Sequence, residues 1–420
     1  MLSARDRYKP YLPFLILFCS LLVVHLFLPL NWSDDAVFAM KAAEMGLREF
    51  LSGSARPLTD ALTYVFNRHP LLWRLLNPVV LTGLAVILSL LLSGIHQLRQ
   101  NILICCTVWY PMLVLADAGF IATTVNYLWP ITCGCLCLLP LRQLCRQERF
   151  CWGWLPLLLP LLAYAVNMQQ MGVVLTAAFL LAGLWLAGQR RFPVYPILML
   201  LLTAVGLLYS YSLNMFGGNN RMLRETARYF PTFSQLNVLE KVELGFSSTF
   251  YCLTMYVHLV WPAFLLFAFF LMQSVFRHHQ GTVSRLAAAF PFGFSLVFGL
   301  LSLLPERMTP FLSFVTGGLQ NYGVGKASYA PAPMADFLFL LVCGCVLYSL
   351  WLLLGRERFW GAFFALALGL GSRLLMGFSP TVWASGFRTF AILLLAFLVT
   401  AVMALRSDQG EQFSGAGKEA

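Results

Sequence analysis

The residues best suited to chemistry lie in the stretch NWSDDAVFAMKAAEMGLREFLSGSAR, from Asn31 to Arg56. Asp34 and Asp35 are adjacent there, just past the first apolar run. Neighbouring carboxylates on a turn project differently, so one can act on a substrate while the other orients a cation or an acceptor. Crowding of like charges also raises one pKa toward the range useful to a general base. The same residues suit a helix start: Ser33-Asp34 can cap, and Asp35 fits the first turn. We expect Asp34 to be the cap and Asp35 the base.

Further polar groups recur where apolar runs end. Asn214 to Arg221, NMFGGNNR, combines two glycines that let backbone N–H groups approach an anion with Asn219, Asn220 and the fork of Arg221. It is also an ordinary loop composition. Asn126, Tyr127 and Trp129, with Asn167, Gln169 and Gln170, add polar and aromatic groups that can serve a sugar or a membrane interface. Arg373 lies inside an apolar run, where a charge is costly and functional by default, unless it snorkels to the nearby end. FSPTVWASGFR follows it and ends in Arg388. There is no GxxxxGK[ST], no HExxH and no Ser/His/Asp order. Cys133, Cys135 and Cys137 alternate with no His near enough for a zinc site, so they read as small core residues.

The elements that must position these groups are membrane helices. The chain has 420 residues, 60% hydrophobic and 11% charged, with mean hydropathy +0.76. That composition is an all-α polytopic membrane protein, and no stretch reads as a soluble domain. Apolar runs near 11–30, 75–95, 102–117, 126–141, 152–167, 171–187, 193–213, 248–273, 286–304, 334–354, 360–378 and 388–405 predict about twelve spans. The pair 152–167 and 171–187 can instead be a hairpin that does not fully cross. The first span follows Arg5-Asp6-Arg7 without a small-residue cleavage site, so it is retained rather than cut as a signal peptide. Residues 1–406 form one membrane domain, and 407–420 are a polar tail expected to be disordered.

The net charge of +11 is a matter of topology, not of nucleic-acid binding. Arg99, Arg142, Arg146, Arg149, Arg190, Arg191, Arg277, Arg285, Arg356 and Arg358 fall in alternate gaps, which puts both termini in the cytoplasm. The opposite loops, 31–74, 214–247, 305–333 and 379–387, are basic too. Topology does not require that, and an anionic substrate handled on the outer face accounts for it. Within 31–74, Met40, Ala43, Leu47, Phe50 and Leu51, then Leu58, Leu62, Val65 and Phe66, recur at helical spacing. They predict amphipathic helices lying in the membrane interface and holding the acid pair at head-group depth.

This plan resembles the GT-C superfamily of integral membrane glycosyltransferases. The likeness rests on NWSDDAVF in the first outer loop, helices leading to SARP, VNYLWP and GGNNR at outer helix ends, and FSPTVWASGFR before the last span. Among its members it is similar to the bacterial O-antigen-modifying, serotype-converting glucosyltransferases. The resemblance implies a sugar, a hexose such as glucose, moved from a polyprenyl-phosphate carrier to a cell-envelope glycan or lipid outside a bacterial inner membrane. It implies Asp35, or Asp34, as general base, and Arg56, Arg221 and Arg388 as phosphate-binding groups. It implies inversion at the anomeric carbon and needs no cofactor, because arginine can neutralise the leaving phosphate without a divalent metal. Without a soluble domain after the last span, a lipid-linked or polysaccharide acceptor fits better than a peptide. The alternative class is a transporter or lipid-linked oligosaccharide flippase, which would show related halves or helices broken at mid-membrane. A polymerase or ligase would carry Arg and His in a large late outer loop.

The orientation has a direct consequence. A cysteine placed at Ser54 should react with a membrane-impermeant thiol reagent in intact cells. Reaction only after the cells are opened would reverse the topology.

Overall fold

Backbone groups in hydrocarbon have no water to bond, so apolar runs satisfy them within helices or a closed barrel. The computed structural model takes the helical solution. It describes residues 8–92, 94–114, 118–148, 151–216, 221–304, 315 and 327–416, with backbone alone for 111–114, 214–216, 357 and 407–416. Among the described residues there is no strand. The helices are α1 (Leu12–Phe27), α2 (Ser33–Glu44), α3 (Pro57–Arg68), α4 (Pro70–Leu92), α5 (Leu98–Val114) and α6 (Phe120–Cys145). There follow α7 (Leu155–Val166), α8 (Gln169–Gly188), α9 (Val194–Phe216), α10 (Arg221–Tyr229), α11 (Val238–Thr254) and α12 (Val260–His278). The last are α13 (Thr282–Leu301), α14 (Pro333–Arg356), α15 (Arg358–Phe378) and α16 (Ala391–Ala416).

Ten helices among the described residues are long and apolar enough to cross a membrane. The chain is therefore an all-α, multi-pass membrane protein. Two of the expected spans are shorter: α5 has 17 residues and α7 has 12. The run expected to span 248–273 is broken, with α11 ending at Thr254 and α12 starting at Val260. Pro262 explains the break, since it lacks the N–H that would bond the His258 carbonyl and suits the first turn of a new helix. α16 runs past Arg406 to Ala416.

The first loop is helical as its periodicity requires. α2 and α3 lie there with a single turn, Leu47–Phe50, between them. The buried face of α3 is Thr59, Thr63, Tyr64 and Phe66, while Leu58 stays 44% exposed. The kink that separates α14 from α15 is made at Gly355, whose φ of 64° lies in the left-handed region that favours glycine.

Contacts divide the chain into two compact units, Met1–Arg221 and Met222–Ala420. In the first, α4 packs on both α1 and α6, and a buried polar chain ties the three together. His25 Nδ1 lies 2.6 Å from the Leu21 carbonyl, which can only accept, so Nδ1 carries the proton. Nε2 then accepts from Asn77 Nδ2 at 2.7 Å. Asn77 Oδ1 accepts from the Trp129 indole at 2.7 Å. Beside them Trp73 donates to Thr124 Oγ1 at 2.9 Å. Arg74 donates to the carbonyls of His25 and Leu28 at the C-terminal end of α1, where a cation is favoured. In the second unit α14, α15 and α16 pack together with α11, α12 and α13.

Asn77 is the middle of the polar chain, so its loss strands two neighbours. Asn77→Leu should destabilise the detergent-solubilised protein by about 1–3 kcal/mol, the usual cost of leaving a buried polar group unmade. A thermal melt reads this. A wild-type midpoint in Asn77→Leu would show that the chain does not hold α1, α4 and α6.

Candidate functional site

The acid pair sits at the start of α2, but the two side chains have different surroundings. Asp35 is fully buried. Its Oδ1 accepts from the Ala122 amide at 2.8 Å and its Oδ2 from the Ile121 amide at 2.9 Å. These are amides of the first turn of α6, which has no intrahelical partners for them. Asp35 is therefore the N-terminal cap of a helix 86 residues away along the chain. Gly119, just before that turn, has φ 93°, and a Cβ there would stand 2.8 Å from Asp35 Cγ and 2.9 Å from Oδ1. Only glycine allows the approach.

Burial pushes the Asp35 carboxyl above the usual carboxylate range. The amides of Ala122, Ile121 and Phe120 oppose that shift, and the Asp34 charge adds to it. Asp34 is half-buried in the first turn of α2. Its helix is capped by no side chain, since Trp32 holds the cap position without a cap bond. Ser33 before it has φ 54°, an uncommon conformation for a residue with a Cβ. Asp35, and not Asp34, is thus a cap, and for a helix other than its own; Asp34 is half-buried beside it.

The rest of the first loop is held as firmly. At SARP, Ser54 Oγ accepts from the Arg56 amide at 3.0 Å and donates to Asp60 Oδ2 at 2.5 Å. Pro57 then opens α3, and Asn167 Oδ1 accepts from the Leu58 amide at 3.3 Å. Tyr64 Oη donates to the Met45 carbonyl at 3.3 Å, and its ring packs on Phe50 with centroids 5.3 Å apart. Arg56 is half-buried in this turn.

Other expected site residues have internal partners. Asn126 Nδ2 donates to the Ala122 carbonyl at 2.6 Å. It lies with buried Tyr127 in a π-helical turn, Thr124–Leu128. Pro130 causes that widening, because it cannot bond the Asn126 carbonyl and its ring crowds it. Tyr164 Oη donates to the Val125 carbonyl in the same turn at 2.6 Å. Gln169 Nε2 donates to Ser210 Oγ at 3.2 Å. Arg221, half-buried, starts α10. Asn219 and Asn220 lie outside the described residues.

In the second unit, Arg388 Nε donates to the Ser385 carbonyl at 2.8 Å. Arg373 does not snorkel: it is 1% exposed, donates to Ser248 Oγ at 3.3 Å and lies 4.6 Å from the Phe390 ring centroid. Among the described residues no group of His, Cys, Asp and Glu is arranged to hold a metal ion.

Asp34, Asp35, Arg56, Asn126, Tyr127 and Gln169 all belong to the first unit, and Arg388 to the second. Gly119, His25 and Asn77 were missed by sequence reasoning. A His and an Asn inside apolar spans were a usable signal, whereas nothing local marks Gly119 as the partner of Asp35. No protein-family model matches the chain, and no curated protein or solved structure matches it either. The class is set by the fold alone, a multi-pass helical membrane protein.

The Asp35 cap carries a pH signature. With its folded pKa raised, the folded state holds the proton more tightly than the unfolded chain. Its contribution to stability is complete below about pH 4 and falls as pH rises through the folded value. Asp35→Asn should flatten that part of the stability–pH curve. It should also cost roughly 1–3 kcal/mol, since an amide can accept only one of the two N–H bonds. Thermal melts across pH check both, and an unchanged slope would remove Asp35 as the titrating group.

Proposed function

We propose that this protein is a GT-C-type membrane glycosyltransferase that moves a hexose from a polyprenyl-phosphate carrier to a cell-envelope glycan or lipid on the outer face of a bacterial inner membrane. One observation carries the reading. Of two adjacent carboxylates in the first loop, Asp35 is committed to anchoring the loop to α6, and Asp34 stands half-buried beside it. A capping role alone needs one acid. In this reading Asp34 is the general base. It accepts the proton of the acceptor hydroxyl as that oxygen attacks the anomeric carbon, and the lipid phosphate leaves from the opposite side, inverting the centre. Arginines of the same unit, Arg56 and Arg221, meet the charge on the departing phosphate.

Two contacts support twelve crossings for this fold. Asp35, one crossing from the N-terminus, bonds the start of α6, which favours a return to that face between α4 and α6; among the described residues α5 lies between them. Asn167, which follows α7, bonds Leu58 in the same first loop, so α7 must return across after α6. Both termini then lie on one side, the cytoplasmic one by the charge of the short loops.

The test separates base from anchor. Asp34→Asn should accumulate and fold normally, yet lose roughly a hundredfold or more in transfer of labelled sugar from a polyprenyl phosphate to envelope glycans. Wild-type turnover in Asp34→Asn at normal protein level would overturn the assignment.

A further inference from the structure

We infer that His25 is a proton sensor built into the end of α1: its contact with α4 and α6 accepts only the neutral ring, and a proton on that ring releases the end of α1 from its neighbours. His25 is fully buried in the last turn of α1. Its Nδ1 donates to the Leu21 carbonyl at 2.6 Å, and its Nε2 accepts from Asn77 Nδ2 at 2.7 Å. Both ring nitrogens are therefore in use, one of them as an acceptor. An imidazolium cannot fill that role, because both of its nitrogens donate.

Turning the Asn77 amide over does not repair the mismatch. Asn77 Oδ1 already accepts from the Trp129 indole at 2.7 Å, and an indole nitrogen can only donate. With its oxygen toward His25, the amide would set its NH2 group against the indole N–H. Either way, a proton on His25 leaves two donors opposed in a place without water. No carboxylate is placed to offset the charge. α4, α5 and the turn Lys9–Tyr11 pack on α1. Their titratable and charged side chains are Arg74, Arg99, Cys105, Cys106, Tyr110, Lys9 and Tyr11, none of them negative at neutral or acid pH. α6, which supplies Trp129, contains no Asp or Glu either. Asp35 of the first loop is held by the amides of Ile121 and Ala122. Arg74, which donates to the carbonyls of His25 and Leu28, already sets one cation at the end of α1. The Trp73 ring, with its centroid 4.9 Å from that of His25, attracts a cation, but by less than an unpaired buried charge costs. The segment released by acid leads directly into the loop that carries Asp34 and Asp35. The inference does not rest on the transferase reading and holds whatever Asp34 does.

Equilibrium unfolding of the full chain in mixed detergent micelles tests it, with wild type, His25→Gln and Asn77→Asp compared across pH. The unfolded chain takes a proton on this histidine below about pH 6.5, and the folded contact refuses it. Stability is then complete above that pH and falls as the solution is acidified. The unfolding constant of the wild type, divided by that of His25→Gln, should rise by up to about tenfold per pH unit, the linkage of one proton. Asp35 is present in both proteins and cancels in the ratio. Asn77→Asp should abolish the rise, because a carboxylate accepts from the imidazolium and from the indole together. A ratio that stays flat on acidification would overturn the inference, as would an acid loss that persists in Asn77→Asp. If a variant does not fold, hydrogen exchange of the wild-type amides from Leu21 to Phe27 decides, corrected for the intrinsic pH dependence of exchange. Loss of protection on acidification supports the sensor, and constant protection overturns it.

Discussion

The first unit depends on the carboxylate of Asp35 against the first turn of α6. Burying a charged acid costs several kcal/mol unless hydrogen bonds and fields offset it. Here two amides without helical partners and the positive end of a helix offset part of that cost. The interaction satisfies both parties and joins the first loop to a helix far along the chain. Gly119 is its steric condition, because any side chain there would occupy the space of the carboxylate.

Membrane helices gain little from hydrophobic contact with one another, since lipid tails are as apolar as leucine. Their register must come from packing and polar contacts. The His25–Asn77–Trp129 chain does this among α1, α4 and α6. Tyr195 donating to the Cys137 carbonyl at 2.8 Å ties α9 to α6 in the same way. Arg373, enclosed with Ser248 and Phe390, does so for α15, α11 and α16. Each uses a polar atom where its absence would leave a backbone or side-chain group unsatisfied in a medium without water. Several loop cations serve comparable local ends: Arg74 closes α1, while Arg228 and Lys241 lie over the rings of Tyr229 and Phe233.

Two adjacent residues of one type can be given two tasks when their environments differ. A helix turns by about 100° per residue, so Asp35 points into the unit while Asp34 lies toward the edge. This separation makes a chemical role for Asp34 compatible with a structural one for Asp35.

Composition and periodicity alone determined that this is a helical, multi-pass membrane chain, where most of its helices run, and that the first loop is itself helical and carries the acid pair. Those properties are local: they depend on the length and spacing of apolar runs and on proline and glycine at the ends. Proline at 262 already marked the break before α12, though a hydropathy window passes over it. Tertiary structure alone decided which aspartate is buried, because the choice rests on Ile121 and Ala122, distant in sequence. It also decided that Arg373 turns inward and that Asn126 and Gln169 are committed to neighbouring helices. Hydrophobic patterning records which residues avoid water. It does not record which polar group meets which across a bundle, since that is set by packing geometry between segments that share no local signal.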